Sequence, residues 1–130
     1  MTDPRAEPVL SFANAISHSD LDTALEVCHP DIEFLSVLAV SGRAYLGHAG
    51  IRQYFQDVAS AWAEWRVEVH RAAPLPDGRV GILMTMHFRG KESGAILAER
   101  TAHIWTLQDG LLLRNEPIRR AEMELLDVGS

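Results

Sequence analysis

The sequence predicts an α+β fold in which three short helices cover one face of a curved antiparallel sheet. In the first half of the chain, apolar residues recur at the spacing of amphipathic helices. After Trp62 the pattern changes to alternation, which is typical of half-buried strands, and turn residues separate the alternating segments. Helices followed by a meander of long strands form an α+β arrangement, and such a sheet closes into a cone with a mouth.

Three helices are predicted from apolar stripes and from residues that begin or end helices. Apolar residues at 3-4-3 spacing predict a helix over Glu7–Ile16. Ser19 and Asp20 offer N-cap oxygens to a second helix, which Pro30 is expected to end. A third helix opens at Gly47–Gly50. Its apolar face is predicted to comprise Ile51, Tyr54, Phe55, Val58 and Trp62.

Strands are predicted where β-branched and aromatic residues are bounded by turn signals. The first strand spans Asp31–Leu38 and is followed by a turn at Ser41 and Gly42. The meander begins after Trp62, with turns at Pro74–Gly78 and Gln108–Gly110. The strands that follow in the meander are Arg79–Phe88, Ile96–Leu107 and Leu111–Arg119.

Size and charge limit the classes of function. A chain of 130 residues with 47% hydrophobic content can bury one ordinary core, so a single domain over residues 1–130 is expected. The 18 acidic and 12 basic residues give a formal charge of -6, and no Lys/Arg cluster is present, so a nucleic-acid partner is not expected. The sequence has neither a long apolar run nor a secretory signal. We therefore expect a cytoplasmic protein that does not associate with membranes.

Metal and cofactor signals are weak in this sequence. Cys28 is the one cysteine, which excludes an internal disulfide and agrees with a reducing compartment. It closes an apolar stripe and is interpreted as a small buried side chain. No two histidines have the spacing and nearby acid of a metal site. Gly47–Gly50 lacks the Lys-Ser/Thr pair of a phosphate loop, so neither a metal nor a cofactor is expected.

Three segments of the chain resemble a known family. They are HSDLDTALEVCHPDIEF, GRAYLGHAGIRQYF and AHIWTLQDGLLLRNEPIRRAE. Together they are similar to the SnoaL-like polyketide cyclase branch of the nuclear transport factor 2-like superfamily, which includes ketosteroid isomerase and limonene epoxide hydrolase. The resemblance covers roughly residues 7–125. It implies a conical α+β barrel (a cystatin-like roll), a deep apolar pocket between sheet and helices, and frequently a homodimer. It does not imply one activity, because one fold hosts many functions.

The catalytic residues of the isomerase members are not matched. Their general-base Asp falls at Phe34, although a gap of one or two residues there is possible. Their oxyanion-binding Tyr falls at Phe12, and their protonated Asp falls at Ala102. All three positions are apolar here, and a site without a base or oxyanion donors forgoes two large catalytic effects. Steroid-type isomerisation is therefore not expected.

The epoxide hydrolase set is matched at one position of three. Arg100 corresponds to the arginine of its Arg-x-Asp pair, Ala102 replaces the first aspartate, and Pro117 replaces the second. A guanidinium has no acceptor and stays protonated, so it cannot activate water alone. Epoxide hydrolysis is not expected either.

Strand alternation and the family register together predict the pocket lining. If Ala102 faces the cavity, Arg100 does so too, while Glu99 and His103 lie on the opposite face. The remaining side chains predicted to line the pocket are Phe12, Phe34, Tyr54, Ile82, Met84, Met86, Phe88, Asn115, Pro117 and Arg119. The pocket is thus predicted to be apolar, with Arg100 and Asn115 as polar exceptions.

Arg100 is the main candidate for chemistry or ligand anchoring. Its planar guanidinium suits a carboxylate, enolate or carbonyl oxygen. In the alternative, it forms an internal ion pair with Glu33 or Glu116, or lies in water at the mouth. Glu116 is a candidate general base if Pro117 introduces a bulge that redirects the last strand.

His103 and Trp105 are predicted on the convex face of the sheet. There they would pack against a second subunit, since aromatic side chains favour such surfaces, or against the C-terminal segment of the same chain. A catalytic His103 would require the strand register to shift by one residue.

Two functions remain open from the sequence. The first is a cyclase, isomerase or hydratase acting on a small hydrophobic carbonyl compound, with Arg100 stabilising developing oxygen charge and Asn115, Tyr54 or Glu116 assisting. The second is a non-catalytic binding or dimerisation module whose apolar cavity holds a hydrophobic ligand or is filled by Met and Phe side chains. An open cavity with a titratable group of shifted pKa beside Arg100 would favour the enzyme.

Overall fold

The structure is a computed structural model that describes residues 3–35 and 44–118. The helical elements are a 3-10 turn at Pro4–Ala6, α1 (Glu7–Ser17), α2 (Leu21–Val27) and α3 (Gly47–Ala61). The strands are β1 (Cys28–Phe34), β2 (Tyr45–Leu46), β3 (Trp62–Pro74), β4 (Val80–Gly90), β5 (Ile96–Gln108) and β6 (Leu111–Pro117). The predicted ends at Leu38 and Arg119, and the turn at Ser41 and Gly42, lie outside the described residues.

The described strands form one curved, unclosed sheet in the order β2-β1-β6-β5-β4-β3. Neighbouring strands are antiparallel except β1 and β6, which run parallel. The helices cover the concave face of this sheet, which confirms the predicted α+β cone. The parallel pair has a functional consequence, because it brings the end of β1 beside a strand that lies about 80 residues later.

The start of α2 follows the predicted capping chemistry. The Asp20 Oδ1 atom accepts a hydrogen bond from the Thr23 backbone N–H at 3.2 Å, and the Thr23 hydroxyl donates to Oδ2 at 2.7 Å. The predicted end was wrong, because α2 ends at Val27 and Pro30 lies inside β1. The backbone is already extended at Cys28, so the helix has ended before proline can terminate it.

The change from helix to sheet occurs where the sequence pattern changes. Helix α3 ends at Ala61, and Trp62 has extended dihedral angles, so it begins β3 rather than completing the helix face as predicted. The other residues predicted for that face are all buried: Ile51, Tyr54, Phe55 and Val58. Among the described helices, none is both long and apolar enough to cross a membrane.

Gly50 lies where α3 meets β2 at close range. A Cβ atom at this position would sit 2.7 Å from the Tyr45 carbonyl carbon and 3.1 Å from its Cα. These are backbone atoms, so Gly50→Ala forces the helix away from the strand, at a cost larger than the gain in helix propensity. We expect the free energy of unfolding to fall by about 1–2 kcal/mol in urea denaturation. Ser60→Ala, at an exposed position of the same helix, is the control, and an equal effect of both changes would contradict the close contact.

Cross-strand polar pairs cover part of the convex face. His87 Nε2 lies 2.9 Å from Glu68 Oε1, and Arg89 Nη2 donates to Glu64 Oε1 at 2.8 Å. These pairs are exposed, so each adds little to stability. Farther along the same face, Leu83 and Ala102 are opposite each other and buried.

Candidate functional site

The cavity lies between the helices and the concave face of the sheet. Its empty space, counted out to the open mouth, is about 430 Å³, of which about 30 Å³ can hold the centre of a water-sized sphere. The second volume is far below that of known ligand pockets, so a ligand can enter only if the lining side chains move apart. The described residues that line it are Val9, Phe12, Ala13, Ile16, Phe34, Tyr54, Val67, Ile82, Met84, Met86, His103, Trp105 and Asn115.

Aromatic rings form one wall of the cavity. Phe34 lies at the centre of this wall: its ring is nearly parallel to that of Trp105, with centroids 5.9 Å apart. It makes edge contacts with Phe12 at 5.4 Å and Tyr54 at 4.6 Å. Edge-to-face and offset-stacked contacts are the preferred arrangements of aromatic pairs, so these rings stabilise one another's positions in the wall. Met84 and Met86 face them from β4, and their unbranched side chains adapt more easily.

Asn115 is the most buried polar side chain of this cavity, with 0% exposure. Its Oδ1 atom accepts a hydrogen bond from the Leu35 backbone N–H at 2.6 Å, and its Nδ2 atom donates to the Leu35 carbonyl oxygen at 2.9 Å. The side chain therefore pairs with the main chain at the end of β1 as a neighbouring strand would.

His103 contacts the same amide. The Asn115 Nδ2 atom lies 2.9 Å from His103 Nδ1, and the imidazole is 4% exposed. Burial lowers the pKa of His103 to about 4, because the apolar surroundings disfavour the charged ring. The ring is therefore neutral at physiological pH. A neutral, buried imidazole therefore lies in the lining of this cavity.

The structure corrects the predicted orientation of Arg100 and Ala102. The β4–β5 register is regular, pairing Ile82 with His103 and Met84 with Thr101. Directly opposite residues share a face, so His103 and Trp105 face the cavity while Arg100 and Ala102 face away from it. Arg100 is exposed and Ala102 is buried on the convex side. The register that the family resemblance predicts for β5 is therefore wrong by one residue.

Glu116 also faces away from the cavity. It is opposite Ile104, and its Oε1 atom lies 3.8 Å from Arg114 Nε, which is also 3.7 Å from Glu33 Oε2. The irregularity in the β5–β6 pairing falls between Thr106 and Leu107. Pro117 pairs with His103 and introduces no bulge that would turn Glu116 inward.

The predicted convex position of His103 and Trp105 was wrong. Both are 4% exposed and line the cavity, so neither can form a sheet-to-sheet dimer contact as proposed from the sequence. The polar alternation of Glu99, Thr101 and His103 imitates a solvent-facing strand. Trp105, the largest apolar residue of the strand, lies on that same face and was the signal that could have reversed the assignment.

Most of the other predicted lining residues do meet in one place. The structure brings together Phe12, Phe34, Tyr54, Ile82, Met84, Met86 and Asn115. Their contact with a ligand stays a prediction. Sequence reasoning missed Val9, Ala13, Ile16 and Val67 as lining residues. These small and branched side chains come from the apolar stripe of α1 and the inner face of β3, so their helix and strand patterns contained that information.

Other reactive groups lie elsewhere. Cys28 is buried, and its surroundings raise the pKa of the thiol to about 12, so it is a poor nucleophile. Within residues 3–35 and 44–118, no group of three or more His, Cys, Asp or Glu side chains is placed to hold a metal ion.

Solved structures with the same architecture include three with known contents or activity. TerC, co-crystallised with polyporic acid, is 24% identical, with a TM-score of 0.78 over 98% of this chain and 100% of that chain. RV0760c from Mycobacterium tuberculosis, in complex with estradiol-17beta-hemisuccinate, is 15% identical, with a TM-score of 0.76 over 94% and 98%. Delta 5-3-ketosteroid isomerase from Mycobacterium sp. is 13% identical, with a TM-score of 0.74 over 93% and 96%.

No curated protein matches the sequence. The family model of the SnoaL-like domain matches residues 9–115, a span that includes every described residue lining the cavity. The likeness to solved structures agrees at the level of the fold. The chain therefore belongs to the family of SnoaL-like domains.

Proposed function

We propose that the cavity binds a small, uncharged, hydrophobic molecule once lining side chains such as those of Met84 and Met86 move apart, and that His103 donates a hydrogen bond to an oxygen atom of that molecule. The observation that carries this proposal is the buried His103 ring, which is neutral, contacts Asn115 and lines the same cavity as the aromatic side chains. The Nδ1 atom is engaged with Asn115, so the Nε2–H group remains to meet a ligand. A carbonyl oxygen is the simplest acceptor for it.

The lining argues for an uncharged ligand. The described residues around the cavity include no Lys, Arg, Asp or Glu. A charged ligand would lose its hydration there without gaining an opposite charge, which is costly. The likeness to proteins crystallised with polyporic acid and with estradiol-17beta-hemisuccinate supports a fold that accommodates organic molecules with rings, but not the absence of charge, since both of those ligands carry acidic groups.

The geometry favours binding over turnover. An isomerase or cyclase needs a group that removes a proton from the substrate, and the described lining contains no carboxylate. His103 with a protonated Nε2 polarises an oxygen but does not accept a proton there. A catalytic role for Arg100 or Glu116 stays a prediction. Neither side chain reaches a ligand in the cavity directly, because both lie on strand positions that face away from it.

Assembly through the sheet also stays a prediction. We propose the convex face, not the cavity face, as the surface for a homodimer, since the exposed cross-strand polar pairs of β3 and β4 lie there. His103 and Trp105 take no part in it.

A matched pair of probes tests the binding proposal. 2-Acetylnaphthalene and 2-ethylnaphthalene have nearly the same shape, but only the ketone offers an oxygen. We expect the protein to bind the ketone about tenfold more tightly in calorimetric titration, because one hydrogen bond in a desolvated site is worth about 1–1.5 kcal/mol. His103→Leu is expected to remove that preference, while the exposed His18→Gln retains it.

Two results would contradict the proposal. One is equal affinity of the wild-type protein for the two probes, and the other is failure to bind either. Circular dichroism of His103→Leu shows whether the variant is folded, so that a lost preference is not mistaken for a lost fold.

A further inference from the structure

We infer that Asn115 is a positioning residue that fixes the tautomer of His103 and thereby selects ligands that offer a lone pair to the ring. This inference rests on the proposed function and adds the basis of its specificity.

The orientation of the Asn115 amide is determined by Leu35. A backbone N–H of Leu35 lies 2.6 Å from one end of the amide, so that end is the oxygen. The carbonyl oxygen of Leu35 lies 2.9 Å from the other end, so that end is the NH2 group. Rotating the amide by half a turn would oppose two donors at one end and two acceptors at the other.

The proton on His103 follows from that orientation. The NH2 group uses one hydrogen on Leu35 and directs its second to His103 Nδ1, which is 2.9 Å away. Nδ1 must therefore carry the lone pair, and the proton of the neutral ring lies on Nε2. The opposite tautomer would place an N–H group against another. Asn115 and His103 are 0% and 4% exposed, so water cannot readily replace this contact.

The ligand must then match an Nε2–H donor. Ketone and other carbonyl oxygens satisfy it, whereas a group that can only donate leaves two donors opposed in a desolvated site. A hydroxyl group can accept this bond, but its own hydrogen then needs another partner. We expect a preference for the ketone over the alcohol of the same skeleton.

Replacing Asn115 with aspartate inverts the pattern with little change in shape. A carboxylate accepts from the Leu35 N–H and from His103 Nδ1–H, so it holds the ring in the opposite tautomer. It also opposes the Leu35 carbonyl oxygen, to which Asn115 donates, so the variant is expected to be less stable than the wild type. At pH 9 the ring is expected to be neutral beside that carboxylate, and Nε2 then has a lone pair. Asn14→Asp, at an exposed position on α1, adds the same charge without touching the ring.

Two measurements follow at pH 9. Nitrogen-15 NMR of ligand-free protein reports the tautomer of His103, which is expected to be Nε2–H in the wild type and Nδ1–H in Asn115→Asp. The affinity ratio of 2-acetylnaphthalene to 1-(2-naphthyl)ethanol is expected to fall at least about tenfold in Asn115→Asp and to be unchanged in Asn14→Asp.

The outcomes separate this inference from the proposed function. An Nδ1–H signal in the wild-type protein overturns the inference whether or not the probes bind. It is also overturned if Asn115→Asp changes the tautomer and leaves the affinity ratio as in the wild type. If the wild-type protein gives an Nε2–H signal but binds neither probe, the proposed function is overturned. The role of Asn115 in fixing the His103 tautomer is then still supported. If Asn115→Asp does not fold, the wild-type spectrum still decides the tautomer.

Discussion

Replacing Asn115 with leucine is expected to lower the free energy of unfolding by about 3 kcal/mol, since each unsatisfied buried polar group costs about 1–3 kcal/mol. Leucine has nearly the same volume but makes none of the three hydrogen bonds. The N–H and carbonyl groups of Leu35 and the Nδ1 atom of His103 all lose their partner. Leu35 is only half-buried, so water recovers part of this loss. Urea denaturation followed by circular dichroism at pH 7 measures the effect.

An exposed asparagine provides the matched control for this change. Asn14→Leu makes the same substitution on the outer surface of α1, where an effect within about 0.5 kcal/mol is expected. A loss of less than about 1 kcal/mol in Asn115→Leu would show that the hydrogen bonds between the amide and Leu35 do not stabilise the contact of β1 with β6.

His103 is expected to make the protein less stable as the pH falls from 7 to 5. Burial lowers the pKa of the folded ring from 6.5 to about 4. In the unfolded chain the ring takes up a proton near pH 6.5, so its contribution to stability is complete above that pH and is lost progressively down to about pH 4. Between pH 7 and pH 5 the loss amounts to about 2 kcal/mol.

Comparison with His103→Leu isolates this effect. Both proteins contain the other histidines and the same carboxylates, so the difference between their pH dependences belongs to His103. The range is chosen above the region where carboxylates such as Asp20 and Asp57, whose pKa values are lowered by hydrogen bonds, begin to lose their contribution. Equal slopes for the two proteins in urea denaturation would show that the ring is not neutralised by burial.

Local patterns were enough to predict most of the fold. The helical stripe from Glu7 ends within one residue of the observed end of α1, and the change of period falls at Trp62, where β3 begins. The two-residue strand at Tyr45 was missed because so short a segment has no periodicity. The parallel pairing of β1 with β6 has no local signal, since it joins segments about 80 residues apart.

The cavity face of β5 could not be decided from the strand alone. Both of its faces mix polar and apolar residues. Arg100 and Ile104 lie on one face, and Thr101 and Trp105 lie on the other. Pairing with β4 decides the matter, because Ile82 and Met84 are unambiguously apolar and oppose His103 and Thr101. The tautomer of His103 depends on Asn115, whose orientation depends in turn on the distant Leu35. The spacing of residues in the sequence does not predict these contacts.

The double duty of one carboxamide has an evolutionary consequence. Asn115 both ties the end of β1 to β6 and orients the imidazole, so a mutation there cannot alter ligand choice without also loosening the sheet. Met84 and Met86 make no comparable hydrogen bonds through their side chains, so other apolar residues can replace them at little energetic cost. During divergence within a lineage, Met84 and Met86 are therefore expected to be replaced first, while Asn115 is retained.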